Sequence, residues 1–163
     1  MRERIHATVP IRQSRLRAMP ATASPQVVER FREGFECWND GELDLMQDMY
    51  AEDGEYDMSA VFTDTTPFKG HESMRRQWDE MWKAWEGIRM DPLEVFDAGG
   101  GRFVVDVRLW GKGRRSGAEV DQRYVLLYTL REGDEKVVRC QLFPSRQAAV
   151  DSAAAAESAA NAG

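Results

Sequence analysis

A chain of 163 residues with 28 acidic and 22 basic side chains, a formal net charge of -6 and a pI near 5.1 has the length for one domain around one core. That balance lacks the basic stripe that a nucleic acid or an anionic membrane selects, and no stretch approaches the ~20 apolar residues of a membrane span. A soluble, cytoplasmic protein acting on small molecules or other proteins is the expectation. Cys37 and Cys140 are the only cysteines. They are too few for a disulfide scaffold and read as buried small hydrophobes in a reducing compartment.

Residues 1–24 carry no sustained apolar period and are interrupted by Pro10 and Pro20, so they are expected to form a disordered arm. Arg2, Arg4, Arg12, Arg15 and Arg17 make it locally basic, without the apolar run of a secretory signal. Ser24 and Pro25 then supply a cap and a first-turn proline, and Val27, Val28, Phe31, Phe35 and Trp38 recur at helical spacing. They predict a helix from Pro25 to Asn39. Leu43, Leu45, Met46 and Met49 give a short second helix, Glu52-Asp53-Gly54 breaks the pattern, and Glu55 to Ala60 reads as a strand. Tyr56 and Met58 share a face of that strand, because side chains alternate with period two.

From His71 the chain is helical again, with Met74, Trp78, Met81, Trp82 and Trp85 forming a buried stripe. Gly87 stops it, and Ile88 to Phe96 is a strand whose Pro92 suits an edge or a bulge. Arg102 to Trp110 alternates, with Phe103, Val105, Val107 and Leu109 on one face and Val104, Asp106, Arg108 and Trp110 on the other. Ala118 to Leu130 sets Val120, Gln122, Tyr124, Leu126 and Tyr128 against Glu119, Asp121, Arg123, Val125 and Leu127. Lys136 to Phe143 is the last strand. A short helix follows Pro144, and the alanine-rich residues 151–163 are expected to fray. The ordered domain is thus 25–150. Its element order predicts an α+β fold in which one curved antiparallel sheet wraps three N-terminal helices and leaves a hollow for a small apolar molecule.

The segments Met49 to Gly54, Phe68-Lys69-Gly70-His71-Glu72 and Tyr128 to Gly133 resemble landmarks of the SnoaL-like branch of the nuclear-transport-factor-2-like (NTF2-like) superfamily. The resemblance covers Pro25 to about Val150. It implies a cone-shaped sheet closed by helices on its concave side and often dimerising through its convex side, and it specifies a fold better than an activity. Relatives include polyketide cyclases, ketosteroid isomerase, limonene-epoxide hydrolase and dehydratases. Set beside the isomerase, its tyrosine donor, catalytic aspartate and protonated aspartic acid fall on Gly34, Met58 and Leu126, none of which exchanges a proton. The same comparison implies that Tyr56 and Met58, Asp106 and Arg108, and Gln122, Tyr124 and Leu126 face inward. Asp106 and Arg108 resemble, in reversed order, the Arg-x-Asp pair of limonene-epoxide hydrolase, but the second carboxylate is missing where Gln122 or Gln141 would sit.

Asp106 with Arg108 is the candidate catalytic pair, since a carboxylate in an apolar cone needs a partner or a proton; a structural ion pair at the rim is the competing reading. Tyr56 is the third candidate catalytic group. Gln122 and Tyr124 would orient a ligand carbonyl, and Trp38, Met58, Trp78, Trp110 and Phe143 would line the hollow, although aromatic stripes at helical spacing are more often plain core. His71, at a helix start, reads as a solvated first-turn residue, with a dyad to Asp57 or Asp64 as the alternative. No metal-ligand spacing, phosphate loop or nucleophile elbow occurs, so no cofactor is expected. The activity expected is a cofactor-independent isomerase, cyclase or hydratase working by proton transfer on an apolar carbonyl compound. The alternatives are a non-catalytic binding module and an interaction subunit, with homodimerisation through the outer sheet face.

Overall fold

A computed structural model describes residues 18–163. In chain order the elements are β1 (Ala21–Thr22), α1 (Pro25–Asn39), α2 (Leu43–Asp48), β2 (Tyr50–Asp57), β3 (Phe68–Lys69), α3 (His71–Ala84), β4 (Trp85–Gly99), β5 (Arg102–Gly113), β6 (Glu119–Leu130), β7 (Val137–Phe143) and α4 (Arg146–Asn161). The strands form one sheet in the order β1-β4-β5-β6-β7-β2-β3. Every pairing is antiparallel except β2 with β7, which is parallel.

The sheet bends where its ladders skip. β4 carries register shifts between Glu86 and Arg89, Pro92 and Glu94, and Asp97 and Gly99, and an extra residue on one strand kinks it and adds twist. At the first of these Gly87 has φ of 62°, a conformation glycine adopts without a Cβ penalty. The same effect moves β2: it starts at Tyr50 rather than Glu55, because Glu52-Asp53-Gly54 forms a bulge inside the strand, between paired Tyr50 and Glu55, instead of a turn before it.

Three helices pack on the concave face. The Ser24 hydroxyl caps α1 by accepting from the Val27 N–H, and Pro25 sits in the first turn. Phe35 and Trp38 of α1 with Met74 and Trp78 of α3 bury against Val95, Val105, Val107, Leu126 and Tyr128 of the sheet. His71 Nε2 lies 2.8 Å from the Tyr50 carbonyl and ties the start of α3 to β2. Asp57 instead accepts from the Ser59 N–H at 2.9 Å and faces Arg139, so the dyad with Asp57 does not form. α3 ends at Ala84, and Trp85, expected on the helix, opens β4.

Two expectations for the chain ends are corrected. Residues 151–163 do not fray: α4 continues to Asn161, capped by Ser145, and its small residues Ala149, Val150 and Ala153 lie against Phe96, Val104, Val125, Leu127 and Phe143 on the convex face. Alanine is the best helix former, and its short side chain lets a helix settle closely on a sheet, so a stripe without bulky residues still buries a face. In the expected arm, Ala21 and Thr22 pair with Asp97 and Phe96 of β4, and Ala23 is buried; residues 1–17 lie outside the described part. α4 therefore covers the apolar zone of the outer face through which a dimer was expected. Below it the face is charged, with Arg108 bound to Asp121. No helix among the described residues is long and apolar enough to cross a membrane.

Candidate binding site

The concave face opens into a cavity of about 440 Å³, within the usual range for small-molecule sites. Tyr56 and Met58 enter from the end of β2, Gln77 and Met81 from α3, and Val107 and Leu109 from β5. Gln122, Tyr124 and Leu126 complete it from β6, and half-exposed Phe62 stands at its mouth. Among the described residues no lining side chain is charged and none is a histidine. The polar groups are two tyrosines and two glutamines. The Tyr124 hydroxyl donates to Gln122 Oε1 at 2.6 Å, which fixes the amide and leaves its nitrogen to donate elsewhere. Tyr56 stacks on Phe68 with centroids 6.4 Å apart. Burial, and then the neighbouring Cys140 and Tyr124, push the Tyr56 phenol far above the ordinary tyrosine range. It is a neutral hydrogen-bond donor and not a base.

A row of side chains crosses the concave face behind this cavity. Phe103 pairs with Tyr128, Tyr128 with Cys140, Cys140 with Tyr56, and Tyr56 with Phe68. The Tyr50 and Tyr128 hydroxyls hydrogen-bond each other and the Cys140 thiol, and burial raises all three.

The candidate catalytic pair lies elsewhere. Directly opposed residues of an antiparallel pair share a face, and the register sets Asp106 opposite Val125 and Glu94, and Arg108 opposite Arg123. Both therefore point to the convex side, while Val107 opposite Tyr124 points into the cavity. Nor do they pair with each other. Arg146 of α4 donates from Nε to Asp106 Oδ2 at 2.5 Å and from its terminal nitrogen to Glu94 at 2.5 Å, and its guanidinium lies 5.1 Å from the Phe96 ring centroid. Arg108 forms an exposed bidentate bridge to Asp121, at 2.8 and 2.6 Å. The inward placement of Asp106 and Arg108 is thus corrected, as is that of Phe143, which packs under α4.

The remaining candidates divide. Tyr56, Met58, Gln122 and Tyr124 line the cavity, and Trp110 stands partly exposed at its edge, its ring against Gly87. Trp38 and Trp78 are core: Trp38 is 1 % exposed and lies 6.0 Å from Trp82, and Trp78 meets Tyr50 edge-on at 5.4 Å. Gln77 was missed, being a polar residue inside a helical pattern, whereas Met81 was visible in the apolar stripe. Among the described residues no group of His, Cys, Asp and Glu could hold a metal ion.

A family model for a SnoaL-like domain matches residues 28–140. The chain belongs to the SnoaL-like family. No curated protein matches this SnoaL-like chain significantly. Solved structures with the same fold include the epoxide hydrolase/cyclase-like enzyme SalBIII of pyran ring formation in polyether salinomycin, at 19 % identity and TM-score 0.61 over 72 % of this chain and 89 % of that one. TerC, co-crystallised with polyporic acid, is 18 % identical with TM-score 0.62 over 77 % and 95 %. A Mycobacterium tuberculosis protein in complex with estradiol-17beta-hemisuccinate is 15 % identical with TM-score 0.62 over 76 % and 96 %. At these identities the likeness is one of fold.

Proposed function

We propose that this SnoaL-like protein binds a small, largely apolar molecule bearing carbonyl or ether oxygens in the 440 Å³ cavity, and that Asp106 and Arg108 take no part. The observation that carries the reading is the uncharged lining with its neutral donors, Tyr56 and the Gln122 amide that Tyr124 holds in place. Apolar walls supply affinity and the donors select for acceptor oxygens. Proteins of the same fold are co-crystallised with polyporic acid and found in complex with estradiol-17beta-hemisuccinate, both ring compounds that carry carbonyl oxygens. Dimerisation across the outer face is not part of this reading, because α4 already covers the apolar zone there.

A second reading, ring closure, is favoured by the buried Tyr56 donor, since a neutral phenol in an apolar site polarises a carbonyl. It requires a substrate that supplies its own nucleophile, because the lining offers no carboxylate or imidazole. Asp106→Asn separates both readings from the sequence-based expectation: it is expected to leave binding and any turnover unchanged.

Calorimetry with a cyclic ketone and the matching hydrocarbon tests the proposal. Leu126→Trp should fill the cavity and abolish binding of both. Tyr56→Phe should weaken the ketone by roughly 2- to 10-fold, the range of one hydrogen bond, and leave the hydrocarbon unaffected. Equal losses for both compounds, or binding that survives Leu126→Trp in a folded protein, would overturn the assignment.

A further inference from the structure

A larger cavity, about 680 Å³, lies on the other side of the tyrosine–cysteine row and shares no lining residue with the first. It is bounded by α1 and α2, by the β4–β5 turn at Gly100 and Gly101, and by the β6–β7 turn at Arg131 to Glu135. Its interior is aromatic: Phe31 lies 5.0 Å from Tyr128 and 5.6 Å from Phe103, and Phe35 meets Tyr128 edge-on at 6.4 Å. The space exists partly because Gly34 stands in the middle of α1. A Cβ there would point at the Met49 sulfur, 3.3 Å away, so any larger side chain would enter the cavity. Glycine in a helix interior is about 1 kcal/mol less favourable than alanine, so helix formation does not explain it.

The rim is charged, and its charges do not cancel. Arg30 is held by Glu135, through the carboxylate and by a 2.8 Å bond to the backbone carbonyl. Arg131 is held by Asp134 at 3.1 and 2.5 Å. Both rim cations are therefore matched, while the exposed carboxylates of Glu33 and Glu132 have no ion partner among the described residues. We propose that this second cavity binds an organic cation: an alkyl- or arylammonium compound whose apolar body lies among Phe31, Phe35, Phe103 and Tyr128 and whose charged nitrogen rests at the rim near Glu33 and Glu132. The aromatic walls take up the apolar body, the unmatched rim carboxylates attract the nitrogen, and the same surplus negative charge rejects a carboxylate of that shape.

Titration of the full chain with octyltrimethylammonium, 1-octanol and octanoate, each below its micelle concentration, tests this. The expected order is cation tightest and octanoate weakest, the two differing by about tenfold in low salt and less as screening increases. Glu33→Gln combined with Glu132→Gln, both at exposed positions, should leave the thermal midpoint unchanged and remove the preference. Gly34→Leu should abolish binding of all three, and Leu126→Trp in the other cavity should leave it intact. Octanoate binding as tightly as the cation, no binding by any of the three, or binding unaffected by Gly34→Leu would each overturn the proposal. Loss through Leu126→Trp alone would place the ligand in the first cavity and overturn it as well.

Discussion

Arg146→Leu is expected to lower the unfolding free energy by about 1–3 kcal/mol, the range for leaving a buried polar group without its partner, because Asp106 is buried while Arg146 is itself 37 % exposed. Asp106 is only 7 % exposed and sits beneath α4. Its Oδ2 is held by Arg146, and its Oδ1 has no hydrogen-bond partner. Removing the guanidinium leaves a carboxylate against Val104, Val125 and Phe143 with nothing to offset its desolvation. The second bond of Arg146, to Glu94, contributes less because Glu94 is half exposed and such pairs contribute at most about 1 kcal/mol. Asp106→Leu combined with Arg146→Leu should recover most of the loss, since an apolar pair of similar volume often replaces a buried ion pair without penalty. Urea unfolding of the two single variants and the double variant reads this as a coupling energy. Additive single effects would show that α4 is held by Ala149, Val150 and Ala153 alone.

That ion pair also shows which parts of the molecule could be read from the chain. The helices on the concave side were legible because Ser24-Pro25 and Gly41 mark the ends of α1 locally and the Phe35/Trp38 and Met74/Trp78 spacings give the buried face. The two faces of β5 and of β6 were legible separately, as period-two alternation. How those faces combine was not, because it depends on the β5–β6 hairpin, where the Gly113 N–H donates to the Ala118 carbonyl, and a slip of one residue exchanges the faces. Placing Asp106 on the same side as Gln122 and Tyr124 is incompatible with the observed pairing of Asp106 to Val125. One signal did point the right way: Phe103, Val105, Val107 and Leu109 are uniformly apolar, as a face packed under three helices should be. The outer cluster carried another. Phe96, Val104, Val125, Leu127 and Phe143 require a cover, and the alanine-rich end supplies it, although it has no bulky stripe to announce a buried face.

Raising the pH above about 9 is expected to destabilise the protein steeply, starting at Cys140. Burial pushes its thiol from 9.0 up to about 12, opposed by the hydrogen bonds from Tyr50 and Tyr128. Tyr50, Tyr56 and Tyr128 are likewise raised, mainly by burial. Each of these groups is neutral when protonated, and the folded state holds the proton more tightly than the unfolded chain does. The stabilisation is therefore complete below the unfolded-state value and lost as the pH climbs toward the folded one, at roughly 1.4 kcal/mol per pH unit per group. Cys140 supplies this slope from about pH 9, and the three tyrosines add theirs from about pH 10. Cys140→Ala should remove the first part of the decline while lowering stability at neutral pH by a constant amount, because the thiol also fills core space and accepts hydrogen bonds. Urea midpoints from pH 7 to 11, followed together with tyrosinate absorbance, check both statements. A flat profile to pH 11, or tyrosinate appearing in a folded Tyr124→Phe protein, would show that the row is solvated. Since Tyr56 borders one cavity and Tyr50 and Tyr128 border the other, ionising the row breaches the wall between them. A ketone held in the first cavity and an ammonium compound held in the second should then be released over the same pH interval, unlike a ligand bound on the outer face.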